Sequence, residues 1–166
     1  MRWLIPVLSA ALFLTLQATL SNRMAFGAIT PDFVLVYLVL FGLQHGPIAG
    51  ALAGFVLGLV VDLGNPGYLG LNALTKTMVG YAAGRMGSAT SPGSAVLFVV
   101  FLGTAFAHDV VYYLMYLWPS VGGGLLSIVT VALPSALYTA VIGITVERIL
   151  ALLGARVVTV GGKTRR

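Results

Sequence analysis

The chain has 166 residues, 59% hydrophobic and only 8% charged, against about 25% charged in ordinary soluble domains, so its polar residues cannot clothe a water-facing surface. It has no cysteine, which excludes disulfides and thiolate metal sites. The net charge of +5 gathers late in the chain, in Arg148, Arg156, Lys163, Arg165 and Arg166, a pattern that marks the cytoplasmic side of a membrane protein rather than a nucleic-acid surface.

Trp3 to Leu20 follows Arg2 and has the look of a signal peptide, but no small-x-small cleavage site follows its apolar core, so a retained first span is expected. A polar turn at Ser21, Asn22 and Arg23 leads to Pro31 and Asp32, which open a short second run, Phe33 to Leu43. Gly46 and Pro47 separate it from a third run, Ile48 to Val61. Fusing the two would place proline inside a helix, at a cost of about 3 kcal/mol, so two spans meeting at a tight turn are expected. Gly64, Asn65, Pro66 and Gly67 signal another turn, and a fourth span runs from about Gly70 to Gly84. A polar loop follows, Arg85 to Gly93, and the fifth span, Ser94 to Trp118, ends in Tyr112, Tyr113, Tyr116 and Trp118, rings suited to the headgroup level. Pro119 and Gly122 to Gly124 turn the chain into a sixth span, Leu125 to Val146, with a kink expected at Pro134.

The expected fold is therefore an all-α integral membrane protein, a compact bundle of about six transmembrane helices, the second one short. Residues 1–153 form the bundle and 154–166 a basic, flexible cytoplasmic tail. With the N-terminus inside and six crossings, the inner side holds Arg2, Arg85 and the tail, while the outer loops hold only Arg23.

The most specific pattern is a ladder at period four, Gly42, Gly46, Gly50, Gly54 and Gly58, with Asp62 at the next step. A second ladder, Asn72, Lys76, Gly80 and Gly84, has the same period. Small-residue faces let backbones approach closely, which is how helices associate in lipid. Two readings follow: the ladders pack within the chain, or one of them receives a helix from a partner protein.

Charges inside spans cost about 2.5 to 3.5 kcal/mol each on insertion scales, so Lys76, Asp109 and Asp62 need the bundle interior or a polar cavity. Lys76 falls roughly 9 Å below the outer end of its helix and Asp109 roughly 13 Å below the same face, which makes Asp62 or Asp109 the expected partner of Lys76. A buried ion pair that fixes helix register is one reading. An ion or proton relay through His108, Asp109, Tyr112 and Tyr113 is the other.

For catalysis the inventory is thin. No Ser, His and Asp set stands at matching depth, the two histidines lie on different spans, and no phosphate-loop pattern ending in Gly-Lys-Ser or Gly-Lys-Thr is present. Neither an enzyme nor a bound cofactor or metal is expected.

Pro31-Asp32, Gly46-Pro47, the run Gly54-Phe55-Val56-Leu57-Gly58-Leu59-Val60-Val61-Asp62, and Gly70-Leu71-Asn72-Ala73-Leu74 followed by Gly80-Tyr81 closely resemble the MreD family of rod shape-determining membrane proteins. Length, span order and the basic tail agree with it, while the fifth and sixth spans match in character only. The resemblance implies a non-enzymatic component of the bacterial elongation machinery in the inner membrane. Its implied partners are MreC, a single-span protein with a periplasmic domain, a RodA-type glycosyltransferase and a penicillin-binding transpeptidase, with MreB filaments indirectly and membrane lipid around it. No nucleic acid is implied. On this reading the third and fourth helices, with Asp62, Asn72 and Lys76 near their outer ends, form a groove for the MreC transmembrane helix, and Gly54 or Gly58 changed to Leu weakens recovery of the complex without affecting insertion. The family is similar in fold to the substrate-binding subunits of energy-coupling-factor vitamin transporters, which supplies the alternative function. The Ala-x-x-x-Ala docking motif common in those subunits is absent, since Ala10 is followed at the fourth place by Leu14 and Ala11 by Thr15.

Overall fold

A computed structural model describes residues 4–64, 66–87, 94–116 and 128–153. The expected turns at Asn65 and Gly122 to Gly124, most of the polar loop before Gly93, the ring of Trp118 and the tail over 154–166 lie outside these residues. Six α-helices make the described structure: α1 Leu4–Leu20, α2 Phe33–His45, α3 Pro47–Asp62, α4 Leu71–Gly87, α5 Ser94–Tyr116 and α6 Leu133–Leu152. The expected all-α bundle is what folds.

Local chemistry sets the boundaries. Asp32 caps α2, its carboxylate accepting from the Leu35 amide at 2.8 Å. Gly46 stops α2 in a left-handed conformation, φ 86°, and Pro47 opens α3, where its missing N–H costs nothing. Pro134 lies in the first turn of α6 rather than inside it, where its missing N–H is tolerated, and a π-helical turn over Ile128–Ala132 leads into it.

The short second helix is the core of the molecule. Every residue from Phe33 to Leu40 is buried, so α2 is apolar on all sides, as a helix enclosed by others must be. With 13 residues it is about 20 Å long, short of the roughly 30 Å of a bilayer's hydrocarbon. The other five helices pack around it, and their outward faces carry exposed Ile5, Leu8, Leu52, Phe55, Val99 and Val141. The segments Ala95–Met115 and Ile128–Leu152 are long and apolar enough to cross a membrane, while α1, α2 and α3 are shorter apolar helices.

The two glycine ladders face each other, running in opposite directions. A Cβ built on Gly50 would run into the Gly80 carbonyl, one on Gly54 into the Lys76 carbonyl, one on Gly58 into Asn72 and Ala73, and one on Gly84 into Gly46 and Pro47. Gly42 brings α2 into the same contact, its added Cβ 2.9 Å from the Gly80 oxygen. The atoms met are backbone, which cannot swing aside. The α3–α4 face is thus filled by this chain itself, and the expectation that it forms an open groove for a partner helix is corrected: no room for a third backbone remains between the ladders.

Candidate functional site

α2 starts inside the bundle, and its start creates the site. The first N–H groups of a helix have no partner within it, and in an apolar interior each must find one. The Phe33 amide donates to Gln17 Oε1 on α1 at 2.7 Å, the Asp32 amide to Thr139 Oγ1 on α6 at 3.1 Å, and Leu35 to the cap. Ser21 donates to the Pro31 carbonyl at 3.0 Å. Polar side chains from α1, from the turn that follows it and from α6 therefore converge where α2 begins.

Lys76, only 1% exposed, reaches this point from α4. Its ammonium pairs directly with Asp32 Oδ2 and donates to Asn72 Oδ1 at 3.3 Å. Its third contact is His108 Nε2 at 3.2 Å. An ammonium has donors only, so His108 accepts at Nε2 and carries its proton on Nδ1, which donates to Asp109 Oδ1 at 3.0 Å. The expected pairing of Lys76 with Asp62 or Asp109 is corrected: its carboxylate partner is Asp32, because α2 begins in mid-bundle, with its cap within reach of Lys76.

Asp62 has a separate task. Its two oxygens accept from the amides of Gly70, Asn72 and Ala73 and from the Asn72 side chain, all at 2.9 to 3.0 Å. The carboxylate caps α4 from the end of α3, where the helix dipole favours negative charge. Asn72 links this cap to Lys76, so a hydrogen-bonded chain runs from Asp62 through Asn72, Lys76 and His108 to Asp109, with Asp32 branching at the lysine.

Asp32, Asn72, His108 and Asp109 of this chain line a polar cavity of about 300 Å³, together with Gln17 of α1, Ser135 and Thr139 of α6, and Tyr112 and Tyr113 of α5. A second hollow, about 360 Å³ and apolar, lies between α4 and α5 over Thr75, Met78, Ala82, Val99, Gly103 and Ala107. His108 lines both. Among the described residues no group of three His, Asp or Glu side chains is placed to hold a metal ion.

Of the residues singled out in the sequence, Asp62, Asn72, Lys76, His108 and Asp109 form one connected network, and Gly46, Gly50, Gly54, Gly58, Gly80 and Gly84 form the α3–α4 contact. Asp32, Gln17, Ser135 and Thr139 were missed. Asp32 opens a helix but is also one of just four acids in the chain, and that scarcity is the signal for it; a lone Gln17 within an apolar first span is a signal of the same kind.

Fold and site together define a small all-α integral membrane protein that turns Asp32, Asp62, Lys76 and Asp109 inward. The family described as rod shape-determining protein MreD matches over residues 1–155, and the chain belongs to that family. It is accordingly a membrane component of rod-shape determination. No curated protein and no solved structure matches it.

Proposed function

We propose that this chain is a non-enzymatic scaffold of the cell-elongation complex in the bacterial inner membrane. It holds MreC by that protein's transmembrane helix and so supports side-wall peptidoglycan synthesis by a RodA-type glycosyltransferase and a penicillin-binding transpeptidase, with MreB joined indirectly. Both termini lie in the cytoplasm, where the basic tail favours them, and the polar cavity then faces the outer side. Family membership over residues 1–155 carries the reading.

The hollow between α4 and α5 is the place for the partner helix. Its floor is made of small exposed residues, Ala82, Gly103 and Ala107, and a Cβ added at Gly103 meets nothing within 4 Å. That is the close-approach surface on which helices associate in lipid, where a polar contact adds about 0.6 kcal/mol on average. The glycine ladders serve packing within the chain, and the Lys76–Asp32 pair fixes the register of α2 against α4.

The test is recovery of partners from native membranes. The protein, tagged at its C-terminus and solubilised mildly, is expected to bring down MreC and the RodA-type synthase, identified by mass spectrometry. Recovery of a transporter ATPase and its coupling subunit instead would replace the scaffold with a vitamin-binding subunit.

A further inference from the structure

The polar cavity contains a carboxylate that the rest of the network does not neutralise. An ammonium has three N–H donors, and those of Lys76 are committed to Asp32, Asn72 and His108. Asp109 is left with the neutral imidazole of His108 on one oxygen. Its other oxygen has no partner among the described residues, and its side chain is 19% exposed on the wall of the cavity. Beside it Ser135, 6% exposed, lines the same cavity, and its hydroxyl too has no hydrogen-bond partner among the described residues. That hydroxyl is open to the cavity, where it can accept from a donor that enters. The rings of Tyr112 and Tyr113 stand at 87° with centroids 5.8 Å apart, two walls of the kind that hold an organic cation against a π face.

We propose that this cavity is a binding site for a primary ammonium group. Asp109 supplies the opposite charge, Ser135 accepts a second N–H, and the two tyrosines flank the cation. A volume of about 300 Å³ suits an alkylammonium or an aminophospholipid headgroup rather than a bare metal ion, and Asp109 lies seven residues from Tyr116 at the end of α5, about 10 Å along the helix, within reach of the headgroup layer. The preference is for a group with N–H to donate, since a quaternary ammonium leaves both acceptors unsatisfied.

The melting midpoint of the full chain in mild detergent, at constant ionic strength, reads the binding. Ethylammonium chloride should raise it where tetramethylammonium chloride does not, and a short-chain phosphatidylethanolamine should raise it where the phosphatidylcholine of equal chain length does not. A response to both ethylammonium and the phosphatidylethanolamine means that the primary ammonium alone is read; a response only to the phospholipid identifies a lipid headgroup as its source. In Asp109→Asn, which keeps the bond to His108, the half-saturating concentration should rise roughly ten-fold or more, the loss of a charge-assisted hydrogen bond. Ser135→Ala, which removes no charge, should raise it several-fold and serves if the first variant does not fold. Equal responses to the primary and quaternary probes, no response to either, or variants that respond like the parent would overturn the proposal.

Discussion

Two glycine-bearing faces of this bundle look alike in sequence and differ in what meets them. Between α3 and α4 every ladder glycine from Gly50 to Gly58 sits against backbone of the opposing helix, and a side chain has nowhere to go. On α5, Gly103 has open space before it, above an apolar hollow. The first face is spent on building the fold, while the second is still available to a partner. Small residues at helical spacing thus announce close approach, but not by whom.

The contrast can be broken by substitution. The largest effect is expected from Gly54→Leu, where the new side chain meets the Lys76 carbonyl and Thr77 amide: destabilisation beyond about 3 kcal/mol, from overpacking against atoms that cannot yield, seen as loss of monodisperse protein in size-exclusion chromatography. Partner recovery then fails because the fold fails. Next comes Lys76→Met, which strands Asp32 in the interior and should cost about 3 to 5 kcal/mol. Asp32→Asn in the same chain should restore part of that in thermal melts, whereas Asp62→Asn should not.

A smaller loss, about 1 to 2 kcal/mol, is expected for Asp62→Ala, which removes the cap of α4. Hydrogen exchange at Gly70, Asn72 and Ala73 should report it locally. Smallest for stability is Gly103→Leu, within about 1 kcal/mol of the parent because nothing is displaced. Its effect should fall on recovery of MreC instead, separating the open face from the filled one.

The sequence reached the architecture further than the site. Turn chemistry at Gly46-Pro47 and Gly64 to Gly67 placed α2, α3 and α4 within a few residues, because a left-handed glycine and an N-terminal proline are local requirements. The identity of the ladder's partner was not local: period four on α3 and α4 fits each other or an outside helix equally, and only the opposed register, Gly54 on Lys76 and Gly58 on Asn72, decides. The same holds for the charges. Depth along a helix brought Lys76, Asp62 and Asp109 to one end, but the choice of Asp32 depends on α2 starting inside the bundle, which its brevity hinted at and its burial explains. Gln17 and Thr139 take meaning only as acceptors for the amides that α2 leaves unpaired.

His108 joins the apolar hollow to the charge network, since it lines the first and bridges Lys76 and Asp109 in the second. A helix seated over Gly103 and Ala107 would lie against the imidazole that orients Asp109.

Because the chain has no cysteine of its own, single cysteines give the most direct test of which face is open. Gly103→Cys and Met78→Cys, each oxidised in native membranes together with cysteines placed along the MreC transmembrane helix, should give disulfide-linked heterodimers at a helical period of the partner. Cross-links that instead form from the outer faces of α1 or α3, at Leu8→Cys or Leu52→Cys, with none from Gly103 or Met78, would contradict the assignment of the α4–α5 hollow as the docking face.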